Sequence, residues 1–80
     1  MKGQVELVNY NKGSAALITE NGGYTSFELL GHEVEPEDII TGDLEQMGNK
    51  TWYNNTKMEE IEVFVQDIYG SRQIALSIIS

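Results

Sequence analysis

The side chains best suited to chemistry lie in one acidic segment. His32 is followed by four carboxylates within the next six residues: Glu33, Glu35, Glu37 and Asp38. Carboxylate oxygens suit hard cations such as Ca²⁺ or Mg²⁺, but the spacing here matches no calcium-binding loop. A charge run of this kind is typical of a solvated surface. We therefore predict no metal site and no bound cofactor.

Catalytic arrangements are not indicated elsewhere. The sequence has no cysteine, which excludes a thiolate nucleophile, a thiolate metal site and a disulfide. A Ser-His-Asp triad would have to use His32, the single histidine, from within the acidic segment. Asp43, Glu59 and Glu60 have the residue types of an acid–base pair, but no apolar residue is placed to raise a pKa beside them. The sequence therefore predicts a protein that is not an enzyme.

Length and charge set further bounds. A chain of 80 residues predicts one domain over 1–80, either complete or cut from a longer chain. No apolar run approaches the roughly 18–20 residues needed to cross a bilayer, and no signal peptide precedes the first strand pattern, so a cytoplasmic location without membrane contact is expected. The net charge of −8 would repel a polyanion. This acidity serves solubility, and a dedicated basic partner is the alternative.

The first half of the chain predicts a three-stranded meander. Residues 4–8 alternate polar and apolar side chains, as a half-buried strand does. Residues 14–19 form a second apolar run, and residues 24–30 a third with β-branched and aromatic members. Between the second and third runs, Asn21-Gly22 is the strongest hairpin signal in the sequence.

The middle of the chain is less regular. A proline followed by acidic residues predicts one helical turn near 36–40. The pattern then favours a fourth strand over 44–47, a hairpin loop over 48–50 and a short strand segment over 51–53.

The end of the chain carries its longest strand signal, over 58–69. Phe64 breaks the alternation there, which indicates either burial of both faces near the end of the strand or a bulge. The apolar residues 74–79 fit either an extra C-terminal strand or a short helix, and both alternatives stay open.

Several of these segments resemble a known family. The run from Gly3 to Asn9, the Lys12-Gly13 step, Ile18 and the run 22–30 are similar to the opening of a cold-shock domain, and residues 38–47 resemble it more loosely. The resemblance implies an all-β, five-stranded OB-type barrel that binds single-stranded nucleic acid on the outer surface of its first three strands.

Most of the side chains that this activity requires are replaced. Ser14 and Ala16 stand where the family has base-stacking rings, Leu7 stands at its tryptophan position, and Glu6 replaces a lysine. Each stacking ring contributes roughly 1–3 kcal/mol, so these departures predict the loss of strong binding. Of the family's binding residues, the resemblance leaves Lys12 and Phe27. Any remaining nucleic-acid binding would use a displaced patch of aromatic rings, formed by Phe27 with Tyr10, Tyr24, Trp52 and Tyr53.

Two hypotheses follow. The first is a non-catalytic accessory module that contacts a protein partner through a barrel edge, the acidic surface or the apolar residues 74–79. The alternative is weak binding of single-stranded RNA or DNA through the cold-shock surface, centred on Lys12 and Phe27.

Overall fold

The computed structural model describes residues 1–80 and shows an all-β closed barrel with one short C-terminal helix. The strands follow each other around the barrel in the order β1-β2-β3-β6-β5-β4, and every neighbouring pair is antiparallel. This architecture is consistent with an OB-type barrel and has one strand more than the predicted five. Its elements are β1 (Lys2–Asn9), β2 (Ser14–Thr19), β3 (Tyr24–Leu29), β4 (Ile39–Thr41), β5 (Gly48–Asn54), β6 (Glu59–Gly70) and α1 (Arg72–Ile79).

The predicted meander is confirmed. In the β1–β2 turn the side-chain oxygen of Asn9 accepts hydrogen bonds from the backbone N–H groups of Asn11 and Lys12. In the β2–β3 turn Gly22 has a φ of 93°, a left-handed conformation that other residues adopt at a cost. Local turn chemistry therefore fixes both connections, as the sequence indicates.

The helical turn predicted near 36–40 is wrong. Residues 35–38 form a reverse turn in which the Asp38 N–H donates to the Glu35 carbonyl at 3.1 Å, and β4 follows at once. Backbone groups of this turn are bonded to β1. The Glu37 N–H donates to the Val5 carbonyl at 2.7 Å, and the Val5 N–H donates to the Asp38 carbonyl at 2.9 Å. Proline suits the second position of a reverse turn as well as the start of a helix.

This turn holds Glu37 in a left-handed conformation, with a φ of 82°. A side chain in that region costs about 1–2 kcal/mol, whereas glycine adopts it freely. We expect Glu37→Gly to raise the free energy of unfolding by about 0.5–1 kcal/mol in urea denaturation. Glu37→Ala removes the same charge but keeps a Cβ, so it should bring no such gain. Equal gains from the two variants would assign the effect to charge rather than to the backbone.

The strand predicted over 44–47 is also wrong. These residues form a loop, and β5 begins at Gly48, inside the predicted hairpin loop. Leu44 is fully buried in the barrel, and its carbonyl accepts a hydrogen bond from the Thr25 hydroxyl at 2.8 Å. The Glu45 carboxylate accepts hydrogen bonds from the side chains of Thr19 and Asn21. Contacts with the β2–β3 hairpin therefore hold this segment in position, and it does not pair as a strand.

The barrel interior is lined by alternating residues of the long strands. On β6, Ile61, Val63 and Val65 point inward. Phe27 and Trp52 meet at the centre in an edge-to-face arrangement, with 5.0 Å between ring centroids. The core cluster comprises Val5, Ala15, Leu17, Phe27, Val34, Ile40, Leu44, Trp52, Ile61, Val63 and Val65.

The C-terminal segment is a helix, which decides between the two alternatives that the sequence left open. Since β1 pairs with β4 and β3 pairs with β6, the closed barrel has no free edge for a further strand. Ser71 begins the helix as its N-cap, and its hydroxyl accepts a hydrogen bond from the Ile74 N–H at 3.1 Å.

Candidate binding surfaces

Helix α1 covers the outer surface of the first three strands. Ala75 and Ile79 pack against Ala16 and Tyr24, and Leu7 borders this small cluster. Ala16 is fully buried as a result. An aromatic ring at this position would occupy the space that α1 fills. Ala16, where the resemblance would place a base-stacking ring, is therefore covered by α1.

Polar contacts hold α1 in place at both of its ends. Near its start, the Tyr24 hydroxyl donates to the Glu6 carboxylate at 2.8 Å, and the Arg72 Nε donates to the same carboxylate at 3.3 Å. At its end, the Asn9 side-chain amide donates to the Ile79 carbonyl at 2.8 Å, and the Lys12 Nζ donates to the Ser80 carbonyl at 2.6 Å. A cation at a helix C-terminus also favours the helix dipole.

The structure separates the residues predicted to bind nucleic acid. Phe27 is 0% exposed and lies in the barrel core, so neither of its ring faces can receive a base. Tyr24 is 9% exposed and lies beneath α1. Tyr10 is 62% exposed and lies two residues before Lys12 in the β1–β2 turn. Lys12 donates through its Nζ to the Ser80 carbonyl at the end of α1.

The environment of Tyr24 raises its pKa. Burial is the main cause, followed by the hydrogen bond to Glu6 and the negative charge of that carboxylate, while Arg72 lowers the pKa. The folded-state pKa of Tyr24 lies above the ordinary value of 10.0. The contribution of the Tyr24 hydroxyl to the free energy of unfolding is therefore complete below pH 10.0. It is lost as the pH rises through the folded-state value.

We therefore expect Tyr24→Phe to lower the free energy of unfolding by about 1–2 kcal/mol at neutral pH, since it removes a hydrogen bond to a charged group. The difference between the variant and the parent should stay constant up to about pH 10 and shrink at higher pH, as the pH rises through the raised pKa of Tyr24. Urea denaturation at a series of pH values measures both effects. A constant difference across the alkaline range would contradict the assignment.

The acidic segment joins a polar network at one end of the barrel. The buried Asp38 carboxylate accepts hydrogen bonds from the Glu35 N–H at 3.0 Å and from the Asn54 side-chain amide at 2.9 Å. Lys57 Nζ lies 3.2 Å from the Glu35 carboxylate. Burial lowers the pKa of Lys57. The hydrogen bond to Glu35 and the negative charges of Glu35, Asp38 and Glu59 raise this pKa by a larger amount, so its net shift is upward. No three acidic or histidine side chains converge as metal ligands would.

A different surface remains open on the other side of the barrel. Here β6 lies between β3 and β5, with Phe64 paired across to Glu28 and Asn49. On β5, Thr51 pairs with Glu62 and Tyr53 with Glu60. The Leu30 N–H donates to the Glu62 carbonyl at 2.9 Å, which places Leu30 beside β6. We call this surface the outer β6 face; its residues, all exposed, are Glu28, Leu30, Asn49, Thr51, Tyr53, Glu60, Glu62 and Phe64.

The outer β6 face combines acidic with apolar side chains. The carboxylates of Glu28, Glu60 and Glu62 make no side-chain hydrogen bond or ion pair, while every ion pair of the molecule lies elsewhere. Phe64 and Tyr53 are 41% and 40% exposed. A shallow depression of about 220 Å³ lies next to Glu62. Such a surface can pack aliphatic or aromatic groups and pair with cations.

One of the two interpretations of Phe64 that the sequence allowed, burial of both strand faces, is wrong. This ring is not buried on a second face; it points outward with Glu60 and Glu62. The register of β3 against β6 shifts between Ser26 and Phe27, so a bulge does occur, two residues further along β6 than Phe64. An aromatic residue in the polar half of an alternating strand was the signal for this surface.

The largest depression, of about 570 Å³, has a different character. It lies over β1 between β2 and β4, and its lining includes Ile18, Ile39, Lys2 and Glu20. The backbone N–H of Lys2 donates to the Glu20 carboxylate at 2.7 Å. One charged side chain of each sign, Lys2 and Glu20, lines this depression.

No protein-family model matches the chain, and comparisons with curated proteins and with solved structures return no significant match. None of its helical structure is long and apolar enough to span a membrane. The class that the fold defines is a small closed β-barrel, consistent with an OB-type barrel, capped by a C-terminal helix. Its most distinctive open surface is the outer β6 face.

Proposed function

We propose that this chain is a non-catalytic protein-binding module that docks its partner on the outer β6 face. The observation that carries the proposal is the contrast between two sheet surfaces: α1 covers β1, β2 and β3, whereas β6 and its neighbours expose Phe64, Tyr53 and Leu30. Exposed apolar side chains grouped on one face are typical of interaction sites.

The way in which a partner binds follows from the closed barrel. Docking on a free strand edge was one of the predicted routes. In the closed barrel each strand pairs with a neighbour on both of its sides, so there is no free strand edge for a partner to extend. A partner must therefore be recognised through side chains. Aromatic residues such as Phe64 and Tyr53 are enriched at such interfaces, where they contribute much of the binding energy.

Capture of interacting proteins tests this proposal. The immobilised parent protein and the Phe64→Ser variant are incubated with cell extract, and retained proteins are quantified by mass spectrometry. Tyr69→Ser serves as the matched control because Tyr69 is 69% exposed and lies outside the outer β6 face. We expect specific proteins to be retained by the parent and the control and lost from Phe64→Ser. Identical retention by all three proteins would contradict docking at this surface.

Weak binding of single-stranded nucleic acid is the second candidate function. The exposed ring of Tyr10, two residues before Lys12, is the observation that favours it. Titration of isotope-labelled protein with mixed DNA and RNA oligonucleotides at low and moderate salt tests it. Amide chemical-shift changes that are centred on the β1–β2 turn and become much smaller with added salt would support nucleic-acid binding. An absence of shift changes at low salt would contradict it.

A further inference from the structure

We propose that the outer β6 face binds an extended, Arg- or Lys-rich segment of a partner protein, laid along β6. The inference rests on the proposed function and adds the chemistry of the partner. Three carboxylates on the face, those of Glu28, Glu60 and Glu62, form no ion pair within the chain. The one lysine that borders the depression, Lys50, donates through its Nζ to the Gln46 side chain at 2.7 Å. The positive charge that would complete this surface must come from outside the chain.

The spacing along β6 fits an extended peptide. Phe64, Glu62 and Glu60 are alternate residues of one strand, so their side chains repeat about every 7 Å on the same face. A peptide in extended conformation has the same repeat. One chain can therefore place two cations opposite Glu62 and Glu60 and a further side chain against Phe64.

The width of the surface favours the same occupant. Thr51 on β5 and Leu30, the residue that follows β3, lie on either side of Glu62. Strands β3 and β5 lie about 10 Å apart across β6, which is two strand spacings. An extended chain is about one strand spacing wide and covers β6 alone, whereas a helix with its side chains is about 10–12 Å wide and would also cover the neighbouring strands.

Arginine suits the mixed chemistry of this surface best. Its guanidinium pairs with carboxylates in a planar fork and stacks on aromatic rings, and its aliphatic stem packs on apolar surface. Phe64 is flanked by Glu28 and adjoins Glu62, so a cation over the ring also interacts with a carboxylate. Exposed ion pairs are individually weak and are screened by salt. We therefore expect a weak complex whose affinity falls as ionic strength rises.

Synthetic peptides test the inference directly. Two peptides of about ten residues have the same composition, with arginines at alternate positions in one and at every third position in the other, where successive arginines point to opposite faces of an extended chain. Each is titrated into isotope-labelled protein, and binding is followed by amide chemical shifts at about 50 and 300 mM NaCl. We expect shifts along β6 and β5, and binding of the alternating peptide about fivefold tighter. Equal affinities would overturn the extended register.

Matched variants separate local recognition from general attraction to an acidic protein. The double variant Glu60→Gln/Glu62→Gln should weaken the alternating peptide about tenfold. The control Glu33→Gln/Asp43→Asn removes the same charge from exposed residues outside the face and should change the affinity by less than about twofold. Equal losses in both double variants would show that the attraction is diffuse, and the inference would be overturned.

The outcomes also distinguish the inference from the proposed function. If neither peptide shifts β6 while Phe64→Ser still loses captured proteins, the module binds a partner of different chemistry and only the inference fails. If Phe64→Ser retains every captured protein, docking at this face fails by itself. An oligonucleotide that shifts the same β6 amides would overturn a basic protein segment as the occupant.

Discussion

Trp52→Ala is expected to destabilise the protein by about 4 kcal/mol, as is typical when a large buried aromatic residue is truncated. Trp52 is 2% exposed and packs edge-to-face on Phe27. Its indole N–H also donates to the Asp43 carbonyl at 3.2 Å, which fixes the loop before β5. The backbone at Gly42 approaches the ring so closely that a Cβ there would lie 2.6 Å from Trp52 Cδ1. The alanine variant would remove the side chain that contacts Phe27, the Asp43 carbonyl and the Gly42 backbone.

A loss of this size is a large share of the total stability, which is about 4–12 kcal/mol for a domain of this length. Thermal denaturation followed by circular dichroism should show a Tm lower by about 15–30 °C, or an unfolded variant. The neighbouring Tyr53 points outward, so Tyr53→Ala is the matched control and should cost about 1 kcal/mol or less. A Trp52→Ala variant with a Tm close to that of the control would contradict the central role of this ring.

The second large effect is expected at Asn54, which is 0% exposed. Its amide N–H donates to the Asp38 carboxylate at 2.9 Å, and its side-chain oxygen accepts hydrogen bonds from the N–H groups of Thr56 and Lys57 at 3.0 and 3.1 Å. Asn54→Ala leaves these partners in place without their bonds. We expect a loss of about 2–3 kcal/mol in the free energy of unfolding, because buried polar groups without partners are costly.

Asn49→Ala is the matched control, because Asn49 lies on the same strand but is exposed and its side chain makes no hydrogen bond within the protein. It should change the free energy of unfolding by no more than about 0.5 kcal/mol. Urea denaturation followed by Trp52 fluorescence measures both variants under the same conditions. Similar values for Asn54→Ala and Asn49→Ala would show that the buried network contributes little.

The sequence predicted the elements whose signals are local. The β2–β3 hairpin follows from Asn21-Gly22, whose turn conformation depends on neighbouring residues only. The inward side of β6 follows from the alternation of Ile61, Val63 and Val65. The sequence predictions were wrong where the same local signal is compatible with two kinds of backbone structure. Pro36 suits a helix start and a reverse turn equally, and bonds from Val5 to this turn decided between them.

The candidate surface depended more strongly on tertiary structure. Phe27 was predicted at the surface because the resemblance placed it there, and the barrel holds it in the core against Trp52. Lys12 was predicted to contact nucleic acid, and its Nζ donates to the Ser80 carbonyl at the end of α1. Neither position could be read from neighbouring residues, because both depend on segments about 25 to 70 residues away in the chain.

The sequence by itself determined that this is an acidic, cysteine-free, all-β chain with two tight hairpin turns at its start and an apolar C-terminal segment. Amino-acid composition and the alternation of polar and apolar residues are properties of the sequence alone, so they do not depend on how the strands are arranged. Only the tertiary structure decided that the C-terminal segment is a helix, that it covers the first three strands, and that Phe64 faces outward among glutamates. A surface is open or covered according to what packs on it, and here strand closure and the return of α1 left the outer β6 face exposed.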